Sequence, residues 1–167
     1  MGATDDFFEF VSIHNNYNTL SFRFFMAFSR FEYALKRAGF VHTPANGSIA
    51  QASIQDFGDL IQNSIDLNDK SIKNCADHIF NNPPNVLLQA NDGRLHWIAL
   101  TPFSRSVTYL IKCMRTTRNN LFHGNKQLPG NDITRNVRLI SSFFPILDCL
   151  IESHPQVQGF FLEGLEE

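Results

Sequence analysis

Phe24, Phe28, Phe31 and Leu35 recur at i, i+4, i+7 and i+11, and this spacing constrains the fold more than any other feature of the chain. Residues so spaced share one face of an α-helix, because each residue turns about 100° from the last. A helix from about Leu20 to Ala38 with so apolar a face has to be buried, and Gly39 is placed to end it. The chain holds seventeen phenylalanines against one tryptophan and three tyrosines, so the core that receives this helix is large and aromatic. Part of that excess also suits an oligomer interface.

The rest of the chain repeats the pattern. Residues 1–18 are mixed and admit a short helix. Ile54, Phe57, Ile61 and Ile65 predict a helix over about 48–65, and another spans about 69–80 before Pro83 and Pro84. Val86, Leu87 and Leu88, then Asp92-Gly93, then Leu95, Trp97 and Ile98 read either as a β-hairpin or as an irregular loop. A helix after Pro102 runs to about Phe122, with Val107, Leu110, Met114, Thr117 and Leu121 on its buried side. Gly124 suits its left-handed end. After an Asn131 or Asp132 cap, Val137, Ile140, Phe144, Leu147 and Ile151 mark a last long helix to about Glu152, with a kink expected at Pro145. The tail with Phe160, Phe161, Leu162 and Leu165 is expected to fold back on the body. The expectation is an all-α, up-and-down bundle of about five helices, with a small hairpin insert near residues 85–100. Residues 1–167 form a single domain on this reading.

Composition excludes several classes. Charged residues are 18% and hydrophobic ones 43%, a globular rather than a disordered balance. No apolar run reaches the ~18–20 residues that cross a membrane. The first residues have no basic leader, and Asp6 spoils a myristoylation match. Cys75, Cys113 and Cys149 are odd in number and far apart, which fits reduced thiols of the cytoplasm. No acidic cluster suggests a metal, and no motif calls for a cofactor.

The net charge of −2 hides a segregation. Arg94, Arg105, Lys112, Arg115, Arg118, Lys126, Arg135 and Arg138 face the single acid Asp132, a local charge of +7. Such a region either binds a polyanion or pairs with acids elsewhere in the fold. Within it lies Arg118-Asn119-Asn120-Leu121-Phe122-His123-Gly124. With nine arginines and six histidines, roughly one Arg-x4-6-His spacing arises by chance. A second match, Arg37 to His42, spans the predicted helix stop at Gly39 and has an apolar interior. The later match is distinguished by its asparagines, Gly124 and the basic surroundings.

In that match, Arg118 can hold a phosphate and stabilise charge growing on its oxygens. His123, in the last helical turn, can move a proton at neutral pH. Asn119 and Asn120 can orient a phosphate or ribose, and Arg115, Lys112 and Lys126 supply further phosphate contacts. The alternative is a surface arginine beside a capping histidine. Five residues on a helix leave Arg118 and His123 about 140° apart. Two copies across a two-fold axis would bring both pairs into one cleft, and the stripe of Ile111, Arg115, Arg118 and Phe122 could form that surface.

Arg-Asn-Asn-Leu-Phe-His-Gly-Asn-Lys, residues 118–126, closely resembles the Arg-x4-6-His segment of HEPN domains (higher eukaryotes and prokaryotes nucleotide-binding domains). Glu32-Tyr33-Ala34-Leu35-Lys36-Arg37 is similar to the Glu-x3-Lys-Arg motif of some HEPN families. The resemblance implies a helical bundle that dimerises around the Arg/His motif. It also implies metal-independent endoribonuclease activity of the toxin–antitoxin or anti-phage kind, with RNA as substrate and an antitoxin or regulatory protein as partner. Arg118 and His123 become the catalytic pair and Asn119 the polar residue beside the arginine. Glu32, Lys36 and Arg37 become supporting residues. The tyrosine of the His-x-Tyr extension in adenylylated toxins is replaced by Asn125, so control by that modification is not expected. A HEPN-like module that binds RNA, a nucleotide or a protein without catalysis is the second expectation, and a purely structural helical dimer the third. On the residues alone, Glu32 and Lys36 could equally be a simple exposed i, i+4 pair.

Overall fold

The computed structural model of the chain describes residues 15–42, 47–101, 104–122 and 133–165. In chain order its elements are α1 (Asn15–Arg37), β1 (Val41–His42), β2 (Gln51–Ala52), α2 (Ile54–Ile61), α3 (Lys73–Asn81), β3 (Asn85–Gln89), β4 (Leu95–Ala99), α4 (Val107–Phe122), α5 (Ile133–Glu152) and α6 (Pro155–Leu162). The described chain is mostly helical, with two small antiparallel hairpins, β1–β2 and β3–β4.

The phenylalanine stripe decides where α1 sits. Phe24, Phe28, Phe31 and Leu35 are fully buried, and α4, α5 and α6 pack around the helix that carries them. Phe24 stacks on Phe143 of α5 with ring centres 5.1 Å apart, and Phe31 meets Phe57 of α2 edge-on at 5.6 Å. Each such ring contributes about 1.5–3 kcal/mol by leaving water. On α4, Val107, Leu110, Met114 and Thr117 are buried as their spacing predicts. The tail folds back as α6 against α1, where Arg30 Nε donates to the Phe161 carbonyl at 3.0 Å.

Element boundaries depart from the periodicity for local reasons. The helix expected over 48–65 forms only as α2, because β2 pairs with β1 through Val41↔Ala52 and His42↔Gln51. Ser53 then caps α2, its Oγ accepting from Asp56 N at 3.4 Å. Ile65 is nevertheless buried in the loop that follows. The helix expected from residue 69 begins at Lys73. Asp69 Oδ1 accepts from Ser71 N at 2.8 Å, a local bond that competes with helix formation. Of the two readings of residues 85–100, the hairpin is the one that forms, from Asn85↔Ala99 to Gln89↔Leu95, with Gly93 at φ +82° in its turn. α5 continues through Pro145. The short helix considered over 1–18 falls mostly outside the described residues, as do Pro102 and the Gly124 helix end; α1 already starts at Asn15. Among the described residues, no helix is long and apolar enough to cross a membrane.

Candidate active site

Glu32 of α1 and two arginines of α4 form the centre of the site. Arg115 and Arg118 are one turn apart and therefore share a face of their helix. Arg115 Nε donates to Glu32 Oε1 at 3.1 Å, and an Nη of Arg118 donates to Glu32 Oε2. The carboxylate thus receives one guanidinium on each oxygen, leaving the trio with one net positive charge. The side chains are 16% exposed for Glu32, 20% for Arg118 and 30% for Arg115. Arg115 also donates to the Ala52 carbonyl at 2.7 Å. The Arg118 guanidinium carbon lies 5.9 Å from the centre of the Phe28 ring, and its Nε is buried without a partner.

The remaining predicted residues divide by position. Asn119 is half-buried next to Arg118. Asn120 is turned to the other side of α4, almost fully buried, and its Nδ2 donates to the Asn85 carbonyl at 2.8 Å. It therefore ties the β3–β4 hairpin to the body rather than orienting a phosphate. Lys36 is half-buried, and the ion pairs of Glu32 go to the arginines instead of to it. Arg37 is turned toward α6, pairing with Glu163 at 3.3 Å and lying 4.6 Å from the Phe160 ring centre. Lys112 is exposed. His123 and Lys126 lie outside the described residues.

In the stripe of Ile111, Arg115, Arg118 and Phe122, Ile111 is fully buried and both arginines bond Glu32 of the same chain, while the Phe122 side chain lies outside the described residues. Of the two readings of the basic region, pairing with acids elsewhere holds for four of its arginines, which share three carboxylates. Arg94 pairs with Asp92 at 2.5 Å, Arg105 with Asp77, and Arg115 and Arg118 with Glu32. Bonds from Lys73 and Arg105 hold the Asp77 carboxyl below its ordinary range, as bonds from Arg94 do for Asp92. Among the described residues, Lys112, Arg135 and Arg138 are the members of that region left without an acid.

The grip of Arg115 on Glu32 was missed in the sequence, where only its i, i+3 relation to Arg118 hinted at it. The cysteines are free thiols, and burial pushes Cys113 up to about 12, away from nucleophilic use. Among the described residues no three His, Cys, Asp or Glu side chains gather as metal ligands. No protein-family model, no curated protein and no solved structure matches the chain.

Proposed function

We propose that this chain is a HEPN-type, metal-independent endoribonuclease, a cytoplasmic toxin or anti-phage effector whose mostly helical fold is a HEPN-like bundle. The observation that supports this reading best is the bond between Glu32 and Arg118. The two short motifs that carry the resemblance lie 86 residues apart, and one charged residue of each, Glu32 and Arg118, meet side by side. Chance spacings have no reason to converge in space.

In this mechanism the 2′-oxygen of the RNA attacks the adjacent phosphorus and the bond to the 5′-oxygen breaks. The products are a 2′,3′-cyclic phosphate and a free 5′-hydroxyl. Arg118, steadied by Glu32, stabilises the charge on the phosphoryl oxygens, and Asn119 orients them. His123 takes the 2′-hydroxyl proton and returns one to the leaving oxygen. The chain acts as a homodimer, with the Arg/His motifs of two copies facing one cleft. Lys112 and Lys126 extend the phosphate contacts, and an antitoxin or other regulatory protein restrains the enzyme.

The test incubates pure protein with mixed RNA in EDTA, alongside Arg118→Ala and His123→Ala variants. Cleavage ending in cyclic phosphate is expected from the parent protein alone, at the solution mass of a dimer. Equal cleavage by both variants would remove these residues from the mechanism. A second reading, a HEPN-like module that binds without cleaving, is favoured by one observation: Arg118 is only 20% exposed and already bound to Glu32. RNA binding without cleavage would support it.

A further inference from the structure

Two of the cations left without an acid among the described residues, Arg135 and Arg138, lie together at the start of α5, beside the end of α4. Arg135 and Arg138 are one turn apart on α5, and Arg135 Nη donates to the Pro83 carbonyl at 2.8 Å. On α3, which packs against α5, His78 Nδ1 lies 3.3 Å from Asn82 Nδ2. The other ring nitrogen, Nε2, is buried and meets no hydrogen-bond partner among the described residues. Arg138 is exposed, and among the described residues its guanidinium meets no hydrogen-bond or ion-pair partner. Burial and the charges of Arg138 and Arg135 together hold the His78 ring below its ordinary value of 6.5, so the charges that bear on it are both positive.

Backbone geometry links this cluster to the motif helix. Arg135 holds the carbonyl of Pro83 and Asn120 that of Asn85, positions at most about 7 Å apart along the chain. The first turn of α5 and the last turn of α4 thus flank one short stretch of backbone. Asn120 is about 200° around α4 from Arg118, so the two cationic groups lie on opposite flanks of a helix about 10 Å across. A small phosphorylated molecule held at one group does not reach the other. An extended polyanion does.

We propose that Arg138 and Arg135 bind a phosphodiester of RNA as a second backbone contact. This rests on the RNA reading above and assigns a path for the strand, across the α4 end from Arg118 to Arg138. The Arg138 guanidinium can turn toward a phosphate without breaking a bond to any of the described residues.

The probe is a 2′-O-methylated RNA strand of roughly twelve nucleotides, which lacks the attacking hydroxyl and is long enough to span both groups. Its affinity is measured by fluorescence anisotropy at several salt concentrations. Arg138→Gln is expected to weaken binding ~3- to 10-fold and to flatten the slope of log affinity against log salt by about 0.7. Adding Arg135→Gln is expected to roughly double that flattening. Arg94→Gln, at the hairpin turn and paired with Asp92, leaves both unchanged. Because Arg135 also holds Pro83, the Arg138→Gln single variant decides the matter. Parental affinity and slope in that folded variant overturn the site. If the parent protein also cleaves unmodified RNA, the nuclease reading survives that loss. Arg138-dependent binding by a protein that never cleaves gives the opposite result, and a parent that binds no RNA overturns both.

Discussion

Glu32 carries the burden of the site at the scale of single residues, because one carboxylate answers two guanidinium groups in a mostly covered position. Removing one member of such a cluster leaves the other charges poorly solvated and facing each other. Glu32→Gln is therefore expected to destabilise the fold by about 1–3 kcal/mol, allowing for the partial exposure of the trio. A thermal melt should register this as a fall of roughly 2–10 °C. Lys36→Gln, one turn away and outside the trio, should change stability by less than about 0.5 kcal/mol. Glu32 was legible in the sequence as part of a short motif, but its partners were not. The sequence offered Lys36 at i+4, whereas packing of α1 on α4 brought Arg115 and Arg118 closer to the carboxylate. Asn120 shows the same limit. It reads as a site residue by adjacency to Arg118, yet a shift of two positions on a helix turns it to the opposite side, where it holds Asn85.

At the scale of elements, α2 packs closely on α4 at Gly58. A methyl group there would lie 2.2 Å from Thr108 Oγ1 and 2.9 Å from Thr108 Cα. The hydroxyl can turn aside, but the backbone cannot, so Gly58→Ala is expected to cost about 1–3 kcal/mol through overpacking. Gly159, in α6, has nothing within 4 Å of an added methyl group, and Gly159→Ala should stabilise by about 0.5–1 kcal/mol. Urea unfolding of the two variants measures both effects, which are of opposite sign. Helices with a strong apolar repeat were legible, α1 and α4 above all, because burial of Phe24, Phe28, Phe31, Leu110 and Met114 dominates any local preference. Ends were less so. A single local bond, such as Asp69 to Ser71, delays a helix, and the pairing of β1 with β2 removes residues from the start of another. The β1–β2 hairpin left almost no trace in the sequence, since two paired residues per strand show no alternation.

At the scale of the whole molecule, His78 gives stability a dependence on mildly acidic pH. Its folded pKa is held below the ordinary 6.5, by burial first and then by Arg138 and Arg135. Below that value the unfolded chain binds a proton that the fold resists, so the contribution is complete above pH 6.5 and declines as the pH falls. The carboxyls of Asp69, Asp77 and Asp92 are also held low, so their contributions are lost only below 3.8, in a separate window. Denaturant melts across pH should show the first decline in the parent protein and a flatter profile in His78→Gln.

The sequence by itself determined a mostly helical chain organised around one aromatic stripe, because hydrophobic periodicity is a local property that burial enforces. It also marked the two short motifs and the basic region, since residue type is visible without a fold. Which charges remain available was decided only by tertiary structure. Coulomb attraction and hydrogen bonding act over a few ångströms, and folding alone set Glu32 against Arg115 and Arg118, and Asp77 against Arg105, while leaving Arg138 without an acid among the described residues.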